Sequence, residues 1–276
     1  MLRSVIPGYY LCHSRLRSAQ EVLSWLVLYP ALCGCIAFRS TEMSVIHFLA
    51  LYPFALLAWI SSYEVGYIEN DLLGASSESG GTVRLTLKEA QQLERRFWSI
   101  LVAKMLVSIG LTALCWKIAN TTGTSVNYSG FLATIVATRV VFIAHNALRS
   151  RWNLLTFAGL YCLKYLAFLF LFSGHGWTAF AGLAVTAIAI MPLPRVLEYG
   201  AKGKFKLQWW KKAVGSLDRF RVRYYAGLCL FSLAMAGTHR TAPPLLFGLS
   251  LFMCIFRIAA LLAAPRLNVE KNMASY

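Results

Sequence analysis

The sequence predicts an all-α fold, a polytopic bundle of transmembrane helices. Three observations support this prediction: 58% of the 276 residues are hydrophobic, only 14% are charged, and the mean hydropathy is +0.58. This composition is typical of integral membrane proteins. Helices are predicted instead of barrel strands because lipid leaves backbone polar groups unsatisfied and the apolar stretches lack strand-like alternation.

Eight apolar stretches are long enough, or nearly so, to cross about 30 Å of hydrocarbon as helices. The longest polar insert is about 30 residues and no low-complexity linker divides the chain, so we predict a single domain over residues 1–276. The eight stretches are residues 21–38, 44–68, 97–116, 129–145, 153–173, 177–193, 224–238 and 241–264.

The basic residues predict the orientation, because Lys and Arg near span ends concentrate on the cytoplasmic side. With the N-terminus inside, eight spans place twenty of the 27 basic residues in inner segments and three in outer loops. We therefore expect an integral protein of a bacterial inner membrane with both termini cytoplasmic. Anionic lipid headgroups attract basic residues beside spans, so the net charge of +16 does not indicate a nucleic-acid partner.

The second apolar stretch ends in an acidic run, residues 64–79, which contains four of the eleven acidic residues. On a helix, Glu64 and Asp71 are seven residues apart and share a face, and the small residues that follow end the helix soon afterwards. Hard oxygen ligands such as Asn70, Asp71 and Glu78 suit Mg²⁺, which takes one or two carboxylates plus phosphate oxygens and water. The run predicts a magnesium site for a diphosphate; the alternative is that its side chains only solvate a helix end.

These residues resemble the first signature of the UbiA superfamily of intramembrane transferases, Asn-Asp-x-x-Asp-x-x-x-Asp at the end of the second helix. Asn70 and Asp71 match the signature, Gly74 replaces its second aspartate, and Glu78 replaces its third. Arg84 resembles the arginine that follows the signature in the family. The resemblance implies a bundle with a ninth span and a cytoplasmic active site.

A second similarity follows the fourth stretch, where the family commonly has a tyrosine and, four residues later, a lysine or arginine. His145 and Arg149 occupy those places, with Arg151 close behind. For His145, a hydrogen bond to helix-end backbone is the alternative interpretation.

The long loop after the sixth stretch departs from the prenyl-transferring members, which have a second aspartate-rich motif there. This chain has Glu198 but no aspartate pair in the corresponding segment. Arg195, Glu198 and Tyr199, followed by residues 219–225, resemble instead the decaprenyl-phosphate phosphoribosyltransferases. That branch keeps one acidic motif and uses basic residues for a phosphorylated sugar donor.

The resemblance implies transfer of a 5-phosphoribosyl group from phosphoribosyl diphosphate to a polyprenyl phosphate in the synthesis of a cell-envelope glycan. Magnesium on Asn70, Asp71 and Glu78 would neutralise the departing diphosphate as C1 gains oxocarbenium character. The acceptor phosphate is already anionic, so positioning and electrostatics suffice.

Basic residues in or beside the spans are the predicted phosphate ligands. An unpaired Lys or Arg at the centre of a spanning helix costs about 2.5–3.5 kcal/mol on insertion scales, and with few acids inside the spans an external anion is expected. Snorkelling is the alternative for Lys104. The predicted substrate-binding residues are Glu64, Arg84, Lys104, Arg139, His145, Arg149, Arg151, Lys164, Arg195, Glu198 and Tyr199.

Aromatic residues near the predicted span ends are interpreted as interface anchors and not as part of a cofactor site. They are Trp25, Tyr29, Tyr52, Trp59, Trp98, Trp116, Trp152 and Trp177.

Three alternatives to the phosphoribosyl transfer stay open. A UbiA-type prenyltransferase would move a prenyl group from a prenyl diphosphate to an aromatic acceptor. A lipid or anion transporter would also bury cations, although internal repeats with matching broken spans are expected of one and none is found. A noncatalytic scaffold would tolerate replacement of Asp71 and Arg84.

Overall fold

A computed structural model describes residues 2–16, 18–77, 85–148, 150–173, 177–236 and 242–263. The described residues form helices and no strand. Seven of the helical segments are long and apolar enough to cross a membrane, so the predicted all-α polytopic bundle is confirmed. The seven are Ala19–Phe38, Val45–Leu73, Phe97–Thr122, Tyr128–Ala147, Asn153–Phe172, Thr178–Gly200 and Pro244–Leu262.

The first eight helices in the described part of the chain comprise five short ones and three long apolar ones. In chain order they are α1 (Leu2–Val5), α2 (Tyr9–Ser14), α3 (Ala19–Leu26), α4 (Leu32–Phe38), α5 (Val45–Ser77), α6 (Leu87–Arg95), α7 (Phe97–Thr122) and α8 (Tyr128–Ala147). The three long ones are α5, α7 and α8. A π-helical turn, Val27–Ala31, joins α3 to α4 in one span. The short helices α3 and α6 each begin with a capping box, in which a Ser or Thr and a Glu satisfy the first backbone N–H groups.

The later helices are α9 (Asn153–Phe172), α10 (Trp177–Ile190), α11 (Pro192–Gly200), α12 (Gln208–Val214), α13 (Leu217–Met235) and α14 (Ala242–Ala263). A 3₁₀ turn at Gly203–Phe205 precedes α12. Helices α13 and α14 pack against each other, and α10 packs on α14.

The chain has two compact units. Unit 1 comprises Met1–Arg149 and Leu163–Gly176, and unit 2 comprises Ser150–Cys162 and Trp177–Tyr276. Helix α9 runs through both, because the change of unit falls in its middle. No linker separates the units, and the single-domain prediction stays a prediction.

The predicted span at residues 224–238 falls in α13, which is not among the seven spans. The apolar part of α13 follows a first half that contains Asp218, Arg219, Arg221 and Arg223. Charged residues are unfavourable inside hydrocarbon, so α13 is a poorer membrane helix than its length suggests.

Helix α5 is the centre of unit 1 and the most buried of the seven spans. Its 33 residues extend about 50 Å, more than the roughly 30 Å of hydrocarbon, so part of it reaches beyond the apolar layer. It packs along α7 on one side and α8 on another. Its position brings residues 64–71 of the acidic run into contact with α2, α7 and α8.

The close approach of α5 and α8 depends on Gly66. A Cβ atom at this position would lie 2.4 Å from the Phe142 ring. We expect Gly66→Ala to destabilise the protein by about 1–3 kcal/mol, because the ring must leave its packed position. Thermal unfolding in detergent would measure this change.

Gly110→Ala is the matched control for that substitution. Gly110 also lies inside a long helix, α7, but it is exposed, and no atom lies within 4 Å of a Cβ placed there. Helix propensity then predicts a gain of about 0.5–1 kcal/mol. Equal effects of the two substitutions would contradict the tight α5–α8 contact.

Candidate functional site

Glu64 is a buried carboxylate that holds the start of α2. Its two oxygens accept hydrogen bonds from the backbone N–H groups of Gly8 (3.1 Å) and Leu11 (2.6 Å). Gly8, the N-cap of α2, has no side chain to satisfy these groups, so Glu64 on α5 performs the capping role and its charge complements the helix dipole. The Lys104 ammonium on α7 lies 2.6 Å from the same carboxylate.

Asp71 lies two turns further along α5 and also binds the N-terminal segment. One of its carboxylate oxygens accepts a hydrogen bond from the Tyr10 hydroxyl and the other from the Arg15 guanidinium, both at 2.8 Å. The Arg15 guanidinium also lies 4.2 Å from the centre of the Tyr67 ring. Since Glu64 and Asp71 both contact residues 8–15, the prediction that they share a helix face is confirmed.

Tyr10 stays a proton donor to Asp71 over the ordinary pH range. Its burial and then the adjacent Asp71 charge raise the pKa of the Tyr10 hydroxyl well above its usual value. The hydroxyl therefore orients the carboxylate in the way that outer hydrogen bonds orient metal-binding carboxylates.

Two of the cations inside the spans have acidic partners within unit 1. Lys104 is 0% exposed and pairs with Glu64, and Arg139 on α8 lies 3.4 Å from Glu69 on α5. The expectation that these cations need an external anion is therefore wrong for Lys104. Arg139 also has an acidic partner, but its buried Nη1 has no hydrogen-bond partner among the described residues. Snorkelling of Lys104 is also wrong, because its side chain points into the helix bundle and is fully buried.

The predicted metal ligands are only partly within the described structure. Asn70 is half-buried and Asp71 buried, whereas Glu78 lies outside the described residues, as do Arg84 and Arg149. No cluster of three His, Cys, Asp or Glu side chains that could hold a metal occurs among the described residues. The magnesium site stays a prediction, to which Asn70 and Asp71 contribute one amide oxygen and one carboxylate.

A pocket lies beside Glu64 in unit 1. The Lys164 ammonium lies 4.2 Å from the centre of the Tyr29 ring, with Tyr63 and Tyr165 at 5.8 and 5.7 Å. These distances are those of cation–π contacts, which stabilise an ammonium group away from water. The lining residues are Leu11, Trp25, Tyr29, Trp59, Ile60, Tyr63, Glu64, Tyr67 and Lys164.

The aromatic residues of the spans fall into two classes. Trp98, Trp116 and Trp152 are largely exposed, which agrees with the predicted interface anchors. Tyr29 and Trp59 are only 3% and 1% exposed, so their interpretation as anchors is wrong. Tyr52 is also buried; its hydroxyl donates to the Pro30 carbonyl at 2.6 Å and so supports the π-helical turn.

Unit 2 contains its own charged cluster, centred on Glu198. Arg221 on α13 donates two hydrogen bonds to its carboxylate, at 2.6 and 2.9 Å, and Arg195 donates one at 2.8 Å. Arg221 also contacts Asp218 at 3.2 Å. The cluster joins α11 to α13 through the bidentate pairing that a guanidinium and a carboxylate favour.

Tyr199 lies next to this cluster on α11. Its hydroxyl donates to the Asn153 side chain at 2.5 Å, and its ring stacks on Phe157 with centroids 3.8 Å apart. The predicted site residues Arg195, Glu198 and Tyr199 are therefore brought together within unit 2.

We expect Glu198→Gln to destabilise the protein by about 2 kcal/mol, because the two arginines lose their shared counter-charge. Chemical unfolding would measure the change. Asp218→Asn is the control: its side chain is 35% exposed, and its pair with Arg221 should contribute less than about 1 kcal/mol. Equal losses would contradict the central role of Glu198.

Two further predicted residues, His145 and Arg151, lie elsewhere in the described structure. His145 lies in the last turn of α8 and is half-buried, and Arg151 is exposed just before α9. The other predicted residues that the structure describes fall into a set in unit 1, around Glu64 and Asp71, and a set in unit 2, around Glu198.

No protein-family model matches this chain, and neither a curated protein nor a solved structure is similar to it. The resemblance to the UbiA superfamily accordingly depends on the residues quoted above alone.

Sequence reasoning missed several of the residues that complete these sites. From the sequence, Arg15 counts only as a topology-setting residue and Tyr10 has no role, because nothing local links them to a carboxylate 56 or 61 positions away. The one available signal is charge: with so few acids in the chain, each buried one needs a donor nearby.

Proposed function

We propose that this protein is a membrane-embedded transferase whose reactive centre lies on the acidic face of α5. The observation that supports the proposal is the pair of buried carboxylates, Glu64 and Asp71, on one face of a spanning helix. Ionisable residues inside a membrane helix are costly and are functional by default. The seven apolar helices indicate an integral membrane protein. A bacterial inner membrane and a cytoplasmic N-terminus are part of the proposal, and seven crossings would place the C-terminus on the opposite side.

The proposed reaction transfers a 5-phosphoribosyl group from phosphoribosyl diphosphate to a polyprenyl phosphate, with diphosphate as the leaving group. Asn70, Asp71 and Glu78 would hold a magnesium ion, which supplies charge neutralisation to the diphosphate. Tyr10 orients the Asp71 carboxylate, and Arg15 provides a guanidinium suited to phosphate oxygens beside it. This arrangement favours an anionic donor at the Asp71 end of α5.

The two carboxylates have different roles in the proposal. Glu64 is neutralised by Lys104 and caps α2, so it positions the N-terminal segment. Asp71 holds Arg15 and Tyr10 of that same segment. Segment 8–15 is thus the link through which the deeper carboxylate supports the proposed donor site.

Purified protein incubated with radiolabelled phosphoribosyl diphosphate and a polyprenyl phosphate tests the reaction. We expect a labelled lipid that forms with magnesium and not in EDTA. Product formed only from a prenyl diphosphate and an aromatic acceptor would replace the proposal with a prenyltransferase. Movement of lipid or anion across proteoliposomes without any product would assign the protein to transport.

A further inference from the structure

Helix α12 lies beside the end of a membrane span in unit 2. The span Thr178–Gly200 ends with α11, and α12 follows it after residues 201–207. The Trp210 indole N–H donates to the Leu197 carbonyl at 3.0 Å, and a Cβ atom at Gly200 would lie 3.1 Å from the Trp210 ring. Both contacts are with the last turn of α11, so α12 is held at the depth where this span ends.

The turn before α12 is fixed to the same helix. Phe205, in the 3₁₀ turn, is 3% exposed, and its ring packs edge-on against Tyr199 with centroids 5.2 Å apart. Val214, at the end of α12, is also buried. Segment 203–214 therefore has an inward face, formed by Phe205, Trp210 and Val214, and an outward face that these side chains leave uncovered.

The outward face combines a tryptophan with lysines. Trp209 is 69% exposed, and Lys211, Lys212 and Lys206 are exposed as well. In the sequence, residues 201–216 contain five lysines and no acidic residue. The segment thus presents a large aromatic ring and a local excess of positive charge at the end of a span.

An anionic membrane surface fits both properties. Indole rings favour the headgroup layer, and a lysine stem can lie along apolar surface while its ammonium group reaches a phosphate. A lysine beside an anionic headgroup layer gains a factor of about five in affinity at low salt. An acidic soluble partner would match the charge, but the end of a span adjoins lipid headgroups whether or not such a partner is present.

We infer that α12 and the turn before it form an interfacial anchor that binds anionic phospholipid headgroups. Trp209 lies in the headgroup layer, and Lys211 and Lys212 bind the lipid phosphates. The anchor fixes the end of the Thr178–Gly200 span at the membrane surface and concentrates anionic lipid beside unit 2. The inference does not depend on the proposed transfer reaction.

Tryptophan fluorescence of the full chain in nanodiscs tests the inference. Brominated phosphatidylglycerol and brominated phosphatidylcholine are the quenchers, each at the same mole fraction in phosphatidylcholine nanodiscs. The Trp209 signal is the difference between the wild-type protein and Trp209→Phe. We expect both lipids to quench this signal, with phosphatidylglycerol at least about threefold more effective because the lysines concentrate it. Sodium chloride at about 1 M should remove most of this preference, because it shortens the screening length to about 3 Å.

Lys211→Gln combined with Lys212→Gln removes two cations and leaves Trp209 in place. Both lysines are exposed, so the melting temperature should stay that of the wild-type protein. The preference of the Trp209 signal for phosphatidylglycerol should fall by at least about twofold, while quenching by brominated phosphatidylcholine persists. A loss of preference in a folded protein is then due to the missing charges.

Trp116 and Lys117 on α7 are the matched control. Both are exposed, but residues 113–122 contain only this one lysine. The Trp116 signal, measured against Trp116→Phe, should show a clearly smaller preference for phosphatidylglycerol than the Trp209 signal does. Lys117→Gln should leave the Trp209 preference unchanged.

Three results would overturn the inference. The first is equal quenching of the Trp209 signal by the two brominated lipids, and the second is a preference that the double lysine variant retains. The third is quenching by aqueous acrylamide without quenching by either lipid, which would place Trp209 in water and assign the lysines to a soluble acidic partner. Neither magnesium nor a sugar donor enters the experiment, so an inactive transferase assay would leave its result unchanged.

Discussion

Lys104→Met is expected to destabilise the protein by about 3–5 kcal/mol, the largest effect on stability that we predict. The substitution leaves Glu64 buried as an anion with only two backbone donors, Gly8 and Leu11, and no counter-ion. Unfolding of the purified protein in mixed micelles would measure the loss. Because Glu64 also caps α2, protease sensitivity of the N-terminal segment should rise in the same variant.

A second substitution in the Lys104→Met background separates the lost charge from lost packing. Glu64→Gln keeps an oxygen that accepts from the α2 backbone but removes the uncompensated charge, so it should recover most of the stability. Lys117→Met, an exposed lysine on the same helix, should change stability by less than about 0.5 kcal/mol. If the double variant does not recover stability while Lys117→Met is as stable as wild type, the stability lost in Lys104→Met does not come from the uncompensated charge of Glu64.

The fold class and the shared face of Glu64 and Asp71 could be predicted because both depend on local pattern. Apolar length predicts spans, and a seven-residue spacing predicts one helix face whatever lies opposite. The α13 segment shows where prediction from apolar length fails. Its second half is apolar, but its first half contains four charged residues, and the helix is not among the seven spans. Span prediction is least reliable where an apolar run is short and flanked by charge.

The partners of the buried charges could not be predicted, because pairing is a property of the packed bundle. Lys104 and Glu64 are 40 positions apart, and the sequence does not say which face of α7 meets α5. Tyr29 and Trp59 show the same limit: the sequence suggested interface anchors, yet both side chains face the interior of unit 1. The residue type alone does not tell whether an aromatic side chain contacts lipid or protein.

The intramembrane cations Lys104 and Arg139 of unit 1 have carboxylate partners, which changes the role expected of them. Lys104 and Arg139 are held by Glu64 and Glu69, all from the described helices α5, α7 and α8. Their first role is therefore to fix α5 against its neighbours.

Asp71→Asn should reduce turnover in the phosphoribosyl transfer assay by about 10²–10³-fold, the largest effect on activity that we predict. The substitution removes the one charged metal ligand that the described structure contains for the proposed site. Stability should also fall, by about 1–3 kcal/mol, because Arg15 loses its carboxylate partner. Initial rates must therefore be compared at a temperature where unfolding measurements find both proteins folded.

Tyr10→Phe distinguishes a metal ligand from a merely structural carboxylate. It removes one hydrogen bond to Asp71 and leaves the charge, so the magnesium concentration for half-maximal turnover should rise about tenfold with the maximal rate preserved. Added magnesium should not rescue Asp71→Asn, and Glu94→Gln, an exposed acid on α6, should behave as wild type. If activity in Asp71→Asn and Tyr10→Phe instead followed stability alone, with no change in magnesium dependence, Asp71 would be a partner of Arg15 and nothing more. The acidic face of α5 would then serve only to hold segment 8–15 in place.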